Sequence, residues 1–192
     1  MNLNPSRDRE GAGNPEPKQT AERPIPLAYL ITFTCYGTRL HGSESGSVDR
    51  HQNLAGSDFI PPSPAWLSFE QREMDKSLYE LDDRRRALIL KSIRNVCVHR
   101  YWLLLAVHVR SQHVHVVVAA KESPERVMNT MKAYASRALN QTGSDETGRW
   151  RWTRHGSTRY LWKPVQVNAA IEYVVRGQGK PMAVWESVER PW

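Results

Sequence analysis

Only two cysteines occur in the 192 residues, Cys35 and Cys97, and their spacing matches no metal-ligand pattern. A disulfide scaffold and a zinc ribbon are therefore poor readings, and reduced, half-buried thiols are expected. No apolar run approaches the roughly 20 residues that span a bilayer, and the N-terminal stretch MNLNPSRDREGAGNPEPK lacks the apolar centre of a secretory leader. The expectation is a soluble, cytoplasmic protein. Acidic residues are also in deficit, 20 Asp plus Glu against 27 Lys plus Arg, for a formal charge of +7. Residues 1–24 carry four side chains of each sign, so the surplus lies in the rest of the chain. Such a surplus attracts polyanions but does not separate DNA from RNA or an anionic lipid surface.

Residues 1–24 offer almost nothing apolar to offset the entropy of ordering and read as a disordered tail, leaving residues 25–192 as one domain. Leu27 to Cys35 is dense in branched and aromatic residues and reads as a strand. A polar, proline-bearing stretch at about 42–64 reads as an irregular insertion. Asp82 or Asp83 can cap a helix reaching about His99, with Leu90, Ile93 and Cys97 on one side and a basic side carrying Arg84, Lys91 and Arg94. Two strands, Tyr101 to about Val109 and Gln112 to Ala120, should form an antiparallel hairpin across Arg110-Ser111. Ser123-Pro124-Glu125 is a helix start, and that helix continues to about Asn140 with Val127, Met131, Ala135 and Ala138 along one face and Lys132 and Arg137 elsewhere. Extended segments follow on either side of Gly156. A last helix spans about Val165 to Arg176 and is stopped by Gly177 and Gly179. The order implies an α+β sandwich with helices over one face of an antiparallel sheet.

His113-Val114-His115 lies in the second strand of the hairpin. Side chains alternate along a strand, so both imidazoles emerge on one face while Val114, Val116 and Val118 line the other. Histidines at i and i+2 can share one metal ion, or can simply satisfy hydrogen bonds on a half-buried face. Tyr173, between Ile171 and Val174 on the last helix, can be brought to the same sheet. Tyrosine hydroxyls ionise near pH 10, so a tyrosine nucleophile gains from a divalent ion that polarises the phosphate it attacks. A tyrosine on an amphipathic helix can equally be core.

Val109-Arg-Ser-Gln-His-Val-His-Val-Val-Val118 resembles the motif of two histidines flanking an apolar residue in HUH single-tyrosine transposases. Glu172-Tyr-Val-Val-Arg-Gly-Gln178 resembles their tyrosine helix, and the ordered elements over residues 25–185 follow the family, most closely the REP-associated tyrosine transposases. The resemblance implies a ferredoxin-like core in which two histidines and an amide from the tyrosine helix hold Mg²⁺ or Mn²⁺. It implies cleavage of single-stranded, hairpin-forming DNA through a 5′-phosphotyrosine, by a monomer or homodimer that is nucleoid-associated when bound to DNA. On this basis Tyr173 is the expected nucleophile and His113 and His115 the expected metal ligands. The family usually carries Gln or Asn four residues after the tyrosine. Here that position is Gly177 and the amide is Gln178, a third ligand if the glycines bend the chain back.

Between Arg149 and Lys163 the chain places Arg149, Arg151, Arg154, Arg159 and Lys163 among Trp150, Trp152, Tyr160 and Trp162, with no acid in that span. Bases stack on aromatics while cations meet phosphates, the usual way of holding single strands; an ordinary strand pair with Trp inside and Arg outside is the plainer reading. Arg110, Ser111, Lys132 and Arg137 are further DNA-contact candidates. The departure at Gly177 leaves open a nuclease-inactive DNA-binding protein that keeps the fold, and an unrelated basic RNA-binding domain is a third class.

Overall fold

Branched residues with period two build the centre of the fold, and helices capped by short polar side chains cover it. The computed structural model describes residues 24–38, 63–65, 68, 77–143, 145–146 and 148–189. Residues 1–23 of the expected tail lie outside these, as does the expected insertion at 42–64 apart from Ser63 and Pro64. Among the described residues the elements run β1 (Ala28–Thr34), α1 (Asp83–His99), β2 (Leu103–Val109), β3 (His113–Ala119), α2 (Pro124–Asn140), β4 (Ser157–Leu161), α3 (Pro164–Val175) and β5 (Ala183–Glu186). The sheet order is β4-β1-β3-β2-β5, every neighbouring pair antiparallel. The first four strands with α1 and α2 form the ferredoxin-like α+β arrangement. β5, which the sequence reading did not include, extends it at the β2 edge.

Helix starts follow local chemistry. The Asp82 carboxylate accepts from the Arg85 amide at 2.7 Å, and the Ser123 hydroxyl accepts from the Arg126 amide at 3.4 Å with Pro124 in the first turn. At α3 the Gln166 side chain reaches back to accept from the Trp162 and Lys163 amides, at 2.9 and 3.1 Å. Each bond satisfies a backbone donor that a helix start leaves without a partner.

The sheet has a core on each face. Ile31, Phe33, Val107, Val114 and Val116 meet Ile89, Ile93 and Val96 of α1 and Val127, Met131 and Ala135 of α2. On the other face Leu30, Leu105, Ala106, Val117 and Leu161 meet Val167, Ala170, Ile171 and Val174 of α3. Burying each of these larger apolar side chains contributes about 1.5–3 kcal/mol, enough to seat α3 firmly despite its short length. A register shift between Leu104 and Ala106 sends Leu105 and Ala106 both toward α3. Beyond it, Val107 and Val109 face the two-helix side and His108 faces α3. Cys35 and Cys97 are fully buried rather than half-buried, and burial pushes both thiols up to about 12. No helix among the described residues is long and apolar enough to cross a membrane.

Candidate functional site

The α3 face of the sheet carries a polar row beside its apolar core patch. Ser157 of β4 pairs with Thr32 of β1, Thr32 with His115 of β3, His115 with His108 of β2, and His108 with Val184 of β5. His113 and Thr34 form the next pair toward the end of the sheet. The strand parity of residues 113 and 115 therefore brings both imidazoles to one face, with ring centroids 4.8 Å apart at 73°. Helix α3 packs across β2 and β3 and sets the Tyr173 ring 5.6 Å from that of His115, at 75°. Tyr173 is 47% exposed, so its outer edge is open to a large ligand.

His115 is buried, and its Nδ1 lies 2.8 Å from the Thr32 hydroxyl. Burial, with the neighbouring His113 and His108 adding to it, lowers its pKa to about 4. The ring is neutral at physiological pH, the state in which an imidazole nitrogen keeps a lone pair for a cation. Gln178 also reaches this place, because its side chain lies close enough to the His115 imidazole to act against the lowering by burial. Its amide nitrogen donates to the Tyr173 carbonyl at 3.3 Å.

Glycine at 177 makes that reach possible. A Cβ there would lie 2.9 Å from the Tyr173 carbonyl oxygen and 3.2 Å from the tyrosine ring. The chain thus folds tightly over its own nucleophile candidate, and the amide arrives one residue later than a continuous helix would deliver it. Among the described residues no three His, Cys, Asp or Glu side chains form a metal-binding group. The donors available are two imidazoles and one amide, a mixture that with open positions suits Mg²⁺ or Mn²⁺.

The basic and aromatic candidates divide into three sets. Trp150, Arg154, Arg159, Tyr160, Trp162, Lys163 and Arg137 are exposed. Tyr160 and Trp162 stack on each other at 5.9 Å and 12° along the β4 edge. Three others belong to the interior, against expectation. The Lys132 ammonium is buried and donates to the carbonyls of Thr153 and His155 at 2.9 and 3.0 Å, and burial lowers its pKa to about 8. Arg151 is buried against Asp145 at 2.7 Å. Trp152 packs edge-on against Phe33 and donates its indole N–H to Ser136. Arg149 and Arg110 are half-buried and donate to backbone carbonyls, Arg149 to Ser77 and Leu78, Arg110 to Lys180.

Lys132→Met should accordingly lower stability by about 1–3 kcal/mol, since the Thr153 carbonyl loses the ammonium that it accepts from and the His155 carbonyl keeps only the Thr153 hydroxyl. DNA affinity should stay unchanged. Thermal melting and a binding titration check the pair, and a tenfold affinity loss without destabilisation would return Lys132 to the DNA-contact set.

Comparison with known proteins bears on the same elements. The profile of the family described as "Transposase IS200 like" matches residues 77–176, just over half of the 192 residues, from the segment before α1 through α3. The chain belongs to the IS200-like transposase family. The matched span holds His108, His113, His115 and Tyr173, so the histidines of the polar row and the tyrosine helix of this IS200-like transposase lie within the family's shared region, while Thr32 lies before it. Among solved structures, one entitled "Structure of the REP associates tyrosine transposase bound to a REP hairpin" matches at 10% identity and a TM-score of 0.43, over 83% of this chain and 72% of that one. No curated protein sequence matches the chain.

Sequence reasoning missed Thr32 and His108. Both are ordinary strand residues until the sheet register sets them beside His115, and the only advance signal was their parity with the polar face.

Proposed function

We propose that this IS200-like transposase is a metal-dependent single-stranded DNA endonuclease and strand transferase that acts on hairpin-forming DNA with Tyr173 as nucleophile. The observation that carries the reading is the meeting of Tyr173, His115, His113 and Gln178 beside the apolar patch on which α3 packs. The family resemblance supplies the reaction class and the hairpin substrate.

The deprotonated Tyr173 oxygen attacks a backbone phosphorus. As the Tyr O–P bond forms, the P–O3′ bond breaks, and the departing O3′ takes up a proton. A 5′-phosphotyrosine and a free 3′-hydroxyl result. Rejoining reverses these steps, with a 3′-hydroxyl attacking the phosphotyrosine and the phenol leaving. The covalent link conserves the phosphodiester energy, so no nucleotide triphosphate is required. His113 and His115, with Gln178, would hold Mg²⁺ or Mn²⁺, which when bound supplies Lewis-acid polarisation of the phosphate. Helix α3 holds the tyrosine ring over the sheet, and the half-open setting of Tyr173 admits the strand. Exposed Trp150, Tyr160 and Trp162 offer stacking surfaces for bases, with Arg154, Arg159 and Lys163 beside them for phosphates.

The test is incubation with labelled hairpin oligonucleotides and Mn²⁺, scored for a protein–DNA adduct that survives denaturation. His113→Ala should lower adduct yield by about 10²-fold or more, and EDTA should remove it from the native protein. Full activity of either would contradict the reading.

A further inference from the structure

His108 is wholly buried, paired across the sheet with His115, and both of its ring nitrogens are committed. Nδ1 lies 3.0 Å from the Val174 carbonyl and Nε2 lies 3.2 Å from the Met182 amide. A backbone N–H only donates, so Nε2 must accept. The ring proton therefore sits on Nδ1 and is donated to Val174. Neither nitrogen is left for a cation, which separates His108 from the His113–His115 pair.

What the imidazole holds is the end of the tyrosine helix. The last four carbonyls of a helix lack intrahelical partners. In α3 the Glu172 carbonyl accepts from the Arg176 and Gly177 amides, and the Tyr173 carbonyl accepts from the Gly177 amide and the Gln178 side chain. The Val174 carbonyl is satisfied from the sheet, by His108. Its other nitrogen holds Met182, one residue before β5, so a single side chain fastens both ends of the stretch 175–181. Gln178 lies within that stretch, and Arg110 adds a second tie through the Lys180 carbonyl at 3.1 Å.

We infer that His108 is a positioning residue, a clasp that fixes Tyr173 and the Gln178 turn against the histidine pair. The inference rests on the roles proposed above for Tyr173 and Gln178.

Long-range ¹⁵N NMR of the native protein should show the His108 ring protonated at Nδ1 with a lone pair at Nε2; the opposite tautomer overturns the clasp. His108→Ala should speed hydrogen exchange at the Arg176, Gly177 and Met182 amides by about tenfold or more relative to β1 and β3. Mn²⁺ affinity and kcat for adduct formation should each fall about 10- to 100-fold, with KM for DNA unchanged. Two variants each restore half of the clasp. Asn carries a donor near the Nδ1 position and Gln an acceptor near Nε2, so His108→Asn should recover the exchange protection of the α3 end and His108→Gln that of Met182. Native exchange rates and native Mn²⁺ affinity in His108→Ala would overturn the inference. If the native protein itself binds no Mn²⁺ and forms no adduct, the functional reading fails, and the tautomer and exchange results still decide on the clasp.

Discussion

Tyr173→Phe should bring covalent adduct formation down to background, a loss on the order of 10³-fold or more, while hairpin DNA binding stays near that of the native protein. The substitution removes one hydroxyl and nothing else that the fold uses. The ring keeps its place 5.6 Å from His115, and the buried side of α3, Val167, Ile171 and Val174, is untouched. Because Tyr173 is about half exposed, stability should change by less than about 0.5 kcal/mol. Labelled DNA on denaturing gels reads the adduct and fluorescence anisotropy reads binding. Undiminished adduct in the Phe variant would move the nucleophile elsewhere, and lost binding would make Tyr173 a DNA contact instead.

The largest stability effect is expected outside the histidine pair, at Asp145. Its carboxylate, with the side chain 5% exposed, accepts from the Tyr79 hydroxyl and Arg151 Nε at 2.7 Å each and from Arg85 Nη2 at 2.9 Å. The guanidinium groups of Arg85, Arg149 and Arg151 all lie within 6.0 Å of the Tyr79 ring centre. One buried acid therefore joins the chain before α1, α1 itself and the segment that leads into Trp150 and Trp152. Asp145→Ala would leave Arg151 buried without its anion, at a cost of about 3–5 kcal/mol. For a chain of this length that is a fall in Tm of roughly 10 °C.

The pH dependence follows from the same contacts. Burial acts to raise the Asp145 pKa, but the hydrogen bonds from Tyr79, Arg151 and Arg85 outweigh it and hold the carboxyl below its usual value. A group whose folded pKa lies below the unfolded one stabilises fully above the unfolded value, near 4. That contribution is lost as pH falls through the folded value. The melting difference between native protein and Asp145→Ala should thus be constant near neutrality and shrink below about pH 4. A difference under about 1 kcal/mol at pH 7 would mean that the cluster is held by other contacts.

Local chemistry made much of this architecture legible in the sequence. Asp82 and Ser123 announced helix starts because a short polar side chain before an apolar-periodic run has few other uses. The parity of His113 and His115 set both on one face before any sheet partner was known. Long-range consequences were not legible. Lys132, on a helix, and Arg151, in a basic stretch, look like surface cations, and only the closed fold supplies the two carbonyls and the buried carboxylate that draw them inward. His108 and Thr32 acquire their meaning from register alone, His108 through a shift near Leu105 that alternation does not foretell. β5 is four residues long and offers no pattern to read. The position of Gln178 depends on how tightly Gly177 turns over Tyr173, a matter of backbone path rather than spacing.

Mapping the adduct tests the account most directly: the protein is incubated with a hairpin oligonucleotide and Mn²⁺, denatured, digested with trypsin and nuclease, and the modified peptide is sequenced by mass spectrometry. The account predicts a nucleotide joined through its 5′-phosphate to Tyr173. Attachment to any other residue, or a 3′-phosphate linkage, would contradict it.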